Sequence, residues 1–443
     1  VLTHPELVIA VAVSLLPVVQ LGRMHADEVY QWLEPAFARA HGFSDLGWEW
    51  QVGIRNWAVP LLFSWLLRLG MAIGLDHPVA ARALLAIPHV LLTWLMLGAV
   101  RRWVGRRLDS DRALVAVWLL GTYGLFILFA GRSMAETYSA AALVLAVENV
   151  DSRKAFAAGV WMGLAIVFRY PSMVIVAGIA LGLVIWQRDL FWRALLGGAI
   201  VVALLGALDW VTWGRPYHSL IAYLEFNVFS TKGVDAFGAY PISHLLPYVW
   251  RIAPWILAGA FWSLRKHLDG KAVILPVALY VAALLVTPHK EGRFLYPAIL
   301  LLALVALPGW LALIDSVMRP RWRAGLLVGS FLISPSSYFL FQKSLRGDLF
   351  WAVVRAGQQA DVTGLLVVGE DRWGVGGYFF IGKKIPYDVC PDAVTCGPLL
   401  AQRQFNYVVV RRQDMDELAK GYGFRLYHDG KTRTLRRAQG DAR

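Results

Sequence analysis

The 443-residue chain is 58% hydrophobic and only 16% charged, with twenty tryptophans. That is too apolar for a soluble or a disordered chain and fits a multi-pass membrane protein. The formal charge of +13 lies in short loops between apolar segments, the record of membrane orientation, and argues against a nucleic-acid partner.

Apolar stretches that cross or nearly cross a bilayer run at about 7–22, 79–100, 113–130, 136–150, 155–168, 172–186, 194–213, 247–264, 272–288, 294–314 and 324–341, against roughly 20 residues for a full crossing. The first lacks the basic n-region and small-x-small site of a cleaved signal peptide and reads as a retained span. The stretch 57–75 is interrupted by Pro60 and Arg68 and is expected to lie in the interface as an amphipathic helix. With that choice, loops 101–112, 151–154, 187–193, 265–271 and 319–323 hold fifteen Lys+Arg in thirty-five residues, and the opposite loops hold nine in eighty-two. Positive residues stay cytoplasmic. The N-terminus is then inside, and the long first loop 23–56 is outside together with the tail.

Residues 344–443 carry twenty-six charges in a hundred positions, an ordinary soluble composition. Runs at 364–369 (GLLVVG), 378–382 (YFFIG) and 405–410 (FNYVVV) read as strands, and helical patterns fall at about 347–359 and 413–420. The expected organisation is a membrane body, 1–343, followed by a small extracytoplasmic α/β domain, 344–443. Both cysteines, Cys390 and Cys396, lie in this tail, so no metal cluster is implied. An oxidising compartment would permit a disulfide between them.

The unusual polar residues gather on the outer loops. His25-Ala26-Asp27-Glu28 opens a segment with apolar residues at helical spacing; Asp27 could cap that helix or perform chemistry. Trp48-Glu49-Trp50 reads as an interfacial aromatic anchor or as part of a site. Arg132 and Glu136 could pair with each other. His289, Lys290, Glu291 and Arg293 concentrate cations where they are otherwise sparse, which suits a phosphate or a charged collar at a span end.

The string HADEVYQWLEPAFARAHGFSDLGWEWQVGIRNWAVP resembles the signature first loop of glycosyltransferase family 22, the polyprenyl-phosphate-mannose-dependent mannosyltransferases. TPHKEGRFLYPAILLL resembles the family's His-Lys-Glu-Glu-Arg-Phe-Leu-Phe-Pro motif, and LEFNVFSTKGVDAFGAYPISHLLPY is a weaker match. Arg132 to Glu136 falls where the family has an Arg-Thr stretch followed by Glu. Ala26, Gly47, Asn56 and Gly292 depart from the family pattern of Pro, Thr, Ser and Glu. The resemblance implies the GT-C architecture: about eleven transmembrane helices with the small C-terminal domain. It also implies a polyprenyl-phosphate-linked sugar donor, most simply mannose, and a membrane-associated glycan or glycolipid acceptor.

A lipid phosphate is already a stable leaving anion, so one carboxylate suffices, as base on the acceptor hydroxyl. Asp27 is expected in that role with Glu28 beside it. His289, Lys290, Arg293 and Arg132 are expected to hold the donor phosphate. His25, Glu49, Trp50, Arg55, Glu136 and Glu291 are expected as supporting residues. No cofactor and no metal ligand set is expected, and a divalent ion is left open. The compact loops favour a bacterial inner membrane, with site and tail in the periplasm, over the ER. Two other readings are a lipid-linked oligosaccharide transporter, which should show internal repeats and mid-membrane charges, and an inactive glycan-binding scaffold.

Overall fold

The computed structural model describes residues 4–268, 271–317, 319–342, 345–412 and 415–437. The expected border at 343/344 and the first two residues of the expected helix 413–420 lie outside the described residues. The chain divides into two compact units: 1–14, 49–59 and 87–342 in one, and 15–48, 60–86 and 343–443 in the other.

Helices occupy most of the expected apolar stretches, but 247–264 is divided into Leu246–Val249 and Pro254–Arg265. Among the described residues, 78–107, 188–213 and 292–316 are long and apolar enough to cross a membrane. A fourth span is broken, with Ser110–Gly121 and Gly124–Ala130 bent 71° apart. Local contacts explain the break. Thr122 turns its hydroxyl back to the Trp118 and Leu119 carbonyls, and the Gly124 amide donates to the Ser334 carbonyl instead of continuing the helix. A Cβ on Gly124 would lie 2.4 Å from the Tyr338 amide. Shorter apolar helices include Pro5–Val19, Ala58–Ala72 and Ala155–Phe168. The expected span 324–341 is interrupted at Pro335, giving Pro320–Ile333 and Ser336–Gln342.

In the first unit, close packing depends on small residues, as lipid-embedded helices require. Ala155–Phe168 lies along Arg188–Trp213 so tightly that a Cβ on Gly159 would sit 1.8 Å from the Ala194 carbonyl oxygen. The basic end of 86–107 is neutralised by the end of Ala135–Asp151. Arg106 and Arg107 hold Asp151 at 2.6 and 2.7 Å, and Arg102 holds Glu148 at 3.1 Å.

The second unit contains a five-stranded sheet: β1 (Leu365–Val368), β2 (Tyr387–Cys390), β3 (Tyr407–Val410), β4 (Phe424–His428) and β5 (Arg433–Arg437). The order is β2-β1-β3-β5-β4. The first three strands are parallel and β5 and β4 are antiparallel. β1 and β3 are fully buried continuous apolar runs, the pattern of strands covered on both faces. One face packs Leu366, Val368, Val408 and Val410 against Leu400, Phe405 and Leu435. Helix Gly347–Gly357 falls on the expected pattern, and Asp416–Gly421 occupies the expected one at 413–420.

The YFFIG run is not a strand. Tyr378–Ile381 is one helical turn, closed by Gly382 at φ 72°. Gly376 and Gly377 precede it without β propensity, and its aromatic residues are recruited by neighbours: Phe380 stacks edge-on to Phe350 at 4.8 Å and Phe379 to Phe37 at 6.3 Å. Tertiary packing here outweighs the strand preference of the residues. Cys390, at the end of β2, forms a disulfide with Cys396 in the helix Ala393–Ala401.

Candidate active site

The first loop begins with a wide turn. Residues Glu28–Leu33 form a π-helical segment that runs into Glu34–His41 and ends at Gly42, φ 82°. Such segments concentrate at functional sites. Val29, Tyr30, Trp32, Leu33, Ala36 and Phe37 are buried, so the amphipathic reading holds, but every side chain of the π segment is inside. Tyr30 reaches the C-terminal segment of the same unit, donating to the Arg372 carbonyl at 2.6 Å and meeting Trp373 edge-on.

The two adjacent acids separate in environment. Asp27 makes no capping hydrogen bond; its carboxylate retains 20% exposure and lies 3.0 Å from His25 Nδ1. Glu28 is 1% exposed, accepts from Arg82 at 2.6 Å and from the Met24 amide at 3.1 Å. The capping alternative for Asp27 therefore does not describe this geometry. Glu28 is a buried, paired group, and its partner Arg82 was not among the residues singled out from sequence.

Glu34, further along, is completely buried and accepts from the Phe379 amide at 2.6 Å, the Asp45 amide and the Ser44 hydroxyl. Burial pushes its carboxyl up to about 7, against the pull of those three donors. A Cβ on Gly377 would lie 2.5 Å from this carboxyl, so Gly377 is small because Glu34 occupies the space.

In the membrane-helical unit, Glu49 and Arg55 hold each other at 2.5 Å. Trp50 packs on Trp57 at 4.4 Å and on Trp213 at 6.3 Å, and the Trp213 indole donates to the Arg55 carbonyl. Asn56 donates to the Val167 carbonyl and the Tyr170 hydroxyl. These residues fasten the segment 49–59 to the helices around it.

The basic motif of the same unit is a network. Glu291 receives a two-pronged grip from Arg293 (2.6 and 3.0 Å) and lies 3.1 Å from His289 Nε2. Arg293 also approaches Glu136 at 3.6 Å, which Arg169 meets at 3.3 Å. Arg169 donates to the Tyr280 hydroxyl, which donates to the Phe294 carbonyl, and both arginines lie over the Phe294 ring. Glu136 thus pairs with Arg169 and Arg293. Lys290, 5% exposed, donates to the Tyr240 and Thr287 carbonyls and has no carboxylate partner among the described residues. Arg132 is 3% exposed. From the sequence Arg169 reads only as an outer-loop charge, because its partners are 33 and 111 positions away. The departure at Gly292 also has a cause: a Cβ there would lie 1.8 Å from the Tyr248 ring, so an aromatic ring fills the space a glutamate would need.

Among the described residues no group of three His, Cys, Asp or Glu side chains could hold a metal ion. The profile of the Alg9-like mannosyltransferase family matches residues 6–346. The chain belongs to that family. Relatives include GPI mannosyltransferase 3 of Yarrowia lipolytica, 27% identical over 63% of this chain and 57% of the relative. That of Drosophila melanogaster is 26% identical over 74% and 60%. Mannosyltransferase APTG1 of Arabidopsis thaliana is 25% identical over 62% and 52%. The chain spans about half to three-fifths of the length of these relatives. The fold is similar to ArnT of Cupriavidus metallidurans bound to undecaprenyl phosphate, with TM-score 0.56 at 14% identity over 98% of both chains. It is also similar to the Archaeoglobus fulgidus oligosaccharyltransferase, with TM-score 0.53 at 12% identity over 99% of this chain and 74% of the other. The architecture is GT-C: a multi-pass helical membrane protein with a small C-terminal sheet.

Proposed function

We propose that this family member transfers a sugar, mannose by its family, from a polyprenyl-phosphate donor to a lipid-linked or glycan acceptor, with inversion at C1. The observation that carries the reading is the contrast between the two acids: Glu28 is sealed against Arg82, while Asp27 stays accessible beside His25 and does no capping. Asp27 takes the proton from the acceptor hydroxyl as its oxygen bonds to C1. The C1–O bond to phosphate breaks with its electron pair leaving on the phosphate. Lys290 and Arg293, with His289 and Arg132, hold the phosphate and stabilise the charge that grows there. In-line attack on a β-linked donor gives an α-linkage.

The loop charge count supports an extracytoplasmic site, and the compact loops a bacterial inner membrane, although the relatives named above are eukaryotic. We read 1–343 as the catalytic body, with the first loop and the helix at 57–75 against the membrane surface, and 344–443 as an extracytoplasmic domain. The exposed apolar stripe Leu62, Trp65, Leu69 and Ile73 supports a lipid-facing position for that helix. Membranes incubated with radiolabelled polyprenyl-phosphate mannose and acceptor glycolipids test the reading. New α-mannosyl product is expected. Movement of labelled lipid across the bilayer without a new bond would favour a transporter, and glycan binding without product a scaffold.

A further inference from the structure

The end of the helix bundle opposite the outer loops contains a cavity of about 390 Å³, within the size range of small-molecule sites. It is lined by Trp103, Asp151, Leu183, Trp186, Gln187 and Ser263, among others, from four helices that end there. Two of these residues have unmet polar atoms. Trp103 is 2% exposed, yet among the described residues its indole Nε1 is a buried donor with no acceptor, and Gln187 Oε1 is a buried acceptor with no donor. Buried polar atoms without partners are rare and costly. One donor and one acceptor in the lining of a single cavity point to a ligand that supplies the complements.

The surroundings restrict its chemistry. Arg107 lies over the Trp103 ring at 3.5 Å and pairs with Asp151. Arg265 and Lys266, at the end of the next helix, lie over Trp262 and have no carboxylate partner among the described residues. A basic rim above an apolar, tryptophan-walled chamber complements an anionic lipid head group with its acyl chain below. The glycerol or inositol hydroxyls of such a head group can donate to Gln187 and Asp151, and its phosphate or ester oxygens can accept from Trp103.

We propose that this cavity binds one anionic glycerophospholipid with a hydroxylated head group, from the leaflet opposite the glycosyl-transfer site. Assignment to the cytoplasmic leaflet rests on the loop charge count; the binding itself does not depend on the transfer reaction and is read without it.

The probe is phosphatidylglycerol. The full chain is reconstituted in nanodiscs of phosphatidylcholine containing one-tenth phosphatidylglycerol, released into detergent, and its retained lipid counted by native mass spectrometry. One phosphatidylglycerol per chain is expected to survive washing that strips phosphatidylcholine. Trp103→Phe keeps an aromatic ring under Arg107 and removes the N–H together with the second ring, and Gln187→Leu removes the acceptor at a half-buried position. Each should lower retention about tenfold, and together further. Gly182→Leu, placed in the cavity wall, should abolish it by filling the space. Equal retention of both lipids, or retention unchanged in Trp103→Phe/Gln187→Leu and in Gly182→Leu, would overturn the proposal. If Trp103→Phe fails to fold, the comparison of Gln187→Leu with the wild type decides alone.

Discussion

Replacing Arg82 by Met removes the partner of a buried carboxylate and tests whether Glu28 is structural. Arg82 and Glu28 side chains are 3% and 1% exposed and their charged atoms lie 2.6 Å apart. Leaving one member of such a pair behind costs about 3–5 kcal/mol, because the remaining charge is desolvated without compensation. Glu28→Gln leaves an isosteric, neutral side chain that can still accept from the Met24 amide, so its own cost is confined to the lost ion pair with Arg82. The double variant Glu28→Gln/Arg82→Met removes both charges and should recover most of the loss. For a unit of this size, the Arg82→Met penalty corresponds to a drop on the order of 10 °C in melting temperature. Tryptophan fluorescence of the nanodisc-embedded chain during heating measures it. An Arg82→Met variant as stable as the wild type would refute the pair as a structural element. So would a double variant that melts no higher than Arg82→Met.

Glu34 gives a pH-dependent counterpart. Its carboxyl rises from 4.5 to about 7 on folding, through burial, so the folded state holds the proton more tightly. Stability contributed by the protonated form is therefore lost as pH rises from about 4.5 through 7, by ~3 kcal/mol. Glu34→Gln should flatten this part of the melting profile between pH 5 and 8; an identical slope in the variant would contradict the assignment. Lys290→Ala and Arg293→Ala should each weaken donor binding and slow turnover, since a cation facing the phosphate acts in both ground and transition states, and unchanged kinetics in two folded variants would return the motif to a charged collar. Thiol alkylation of the unreduced, denatured chain should label neither Cys390 nor Cys396, and reduction should expose both; labelling before reduction would contradict the disulfide.

Much of the membrane body is legible in the sequence, because hydropathy over twenty residues is a strong and local signal. The breaks are harder to read. The turn at Thr122–Gly124 depends on a contact with Ser334, more than 200 positions away. In the tail, GLLVVG and FNYVVV are strands because both faces are covered, whereas YFFIG becomes a helical turn because Glu34, 345 positions earlier, holds the Phe379 amide. β4 and β5 escape a hydrophobic search altogether, since FRLYH is mostly exposed on the edge strand and RTLRR, inside the sheet, carries three basic residues. At the candidate site, the motifs single out acids and cations but not the partners that separate their environments. Glu28 and Asp27 are neighbours with the same chemistry, and only Arg82, 54 positions from Glu28, distinguishes them. Arg169 likewise enters the cationic network through Glu136 and Tyr280 rather than through any sequence motif.

The central claim is that Asp27 is the base. Turnover of Asp27→Asn with a polyprenyl-phosphate sugar and its acceptor, measured beside donor affinity, tests it most directly. Asparagine keeps the size of the side chain and can still face His25, so folding and donor binding should be preserved, while turnover falls ~10²–10⁴-fold. Glu28→Gln should act mainly on stability and lose less activity. Wild-type turnover in Asp27→Asn would contradict the account, and if Glu28→Gln were then inactive but fully folded, the neighbouring carboxylate would be the base.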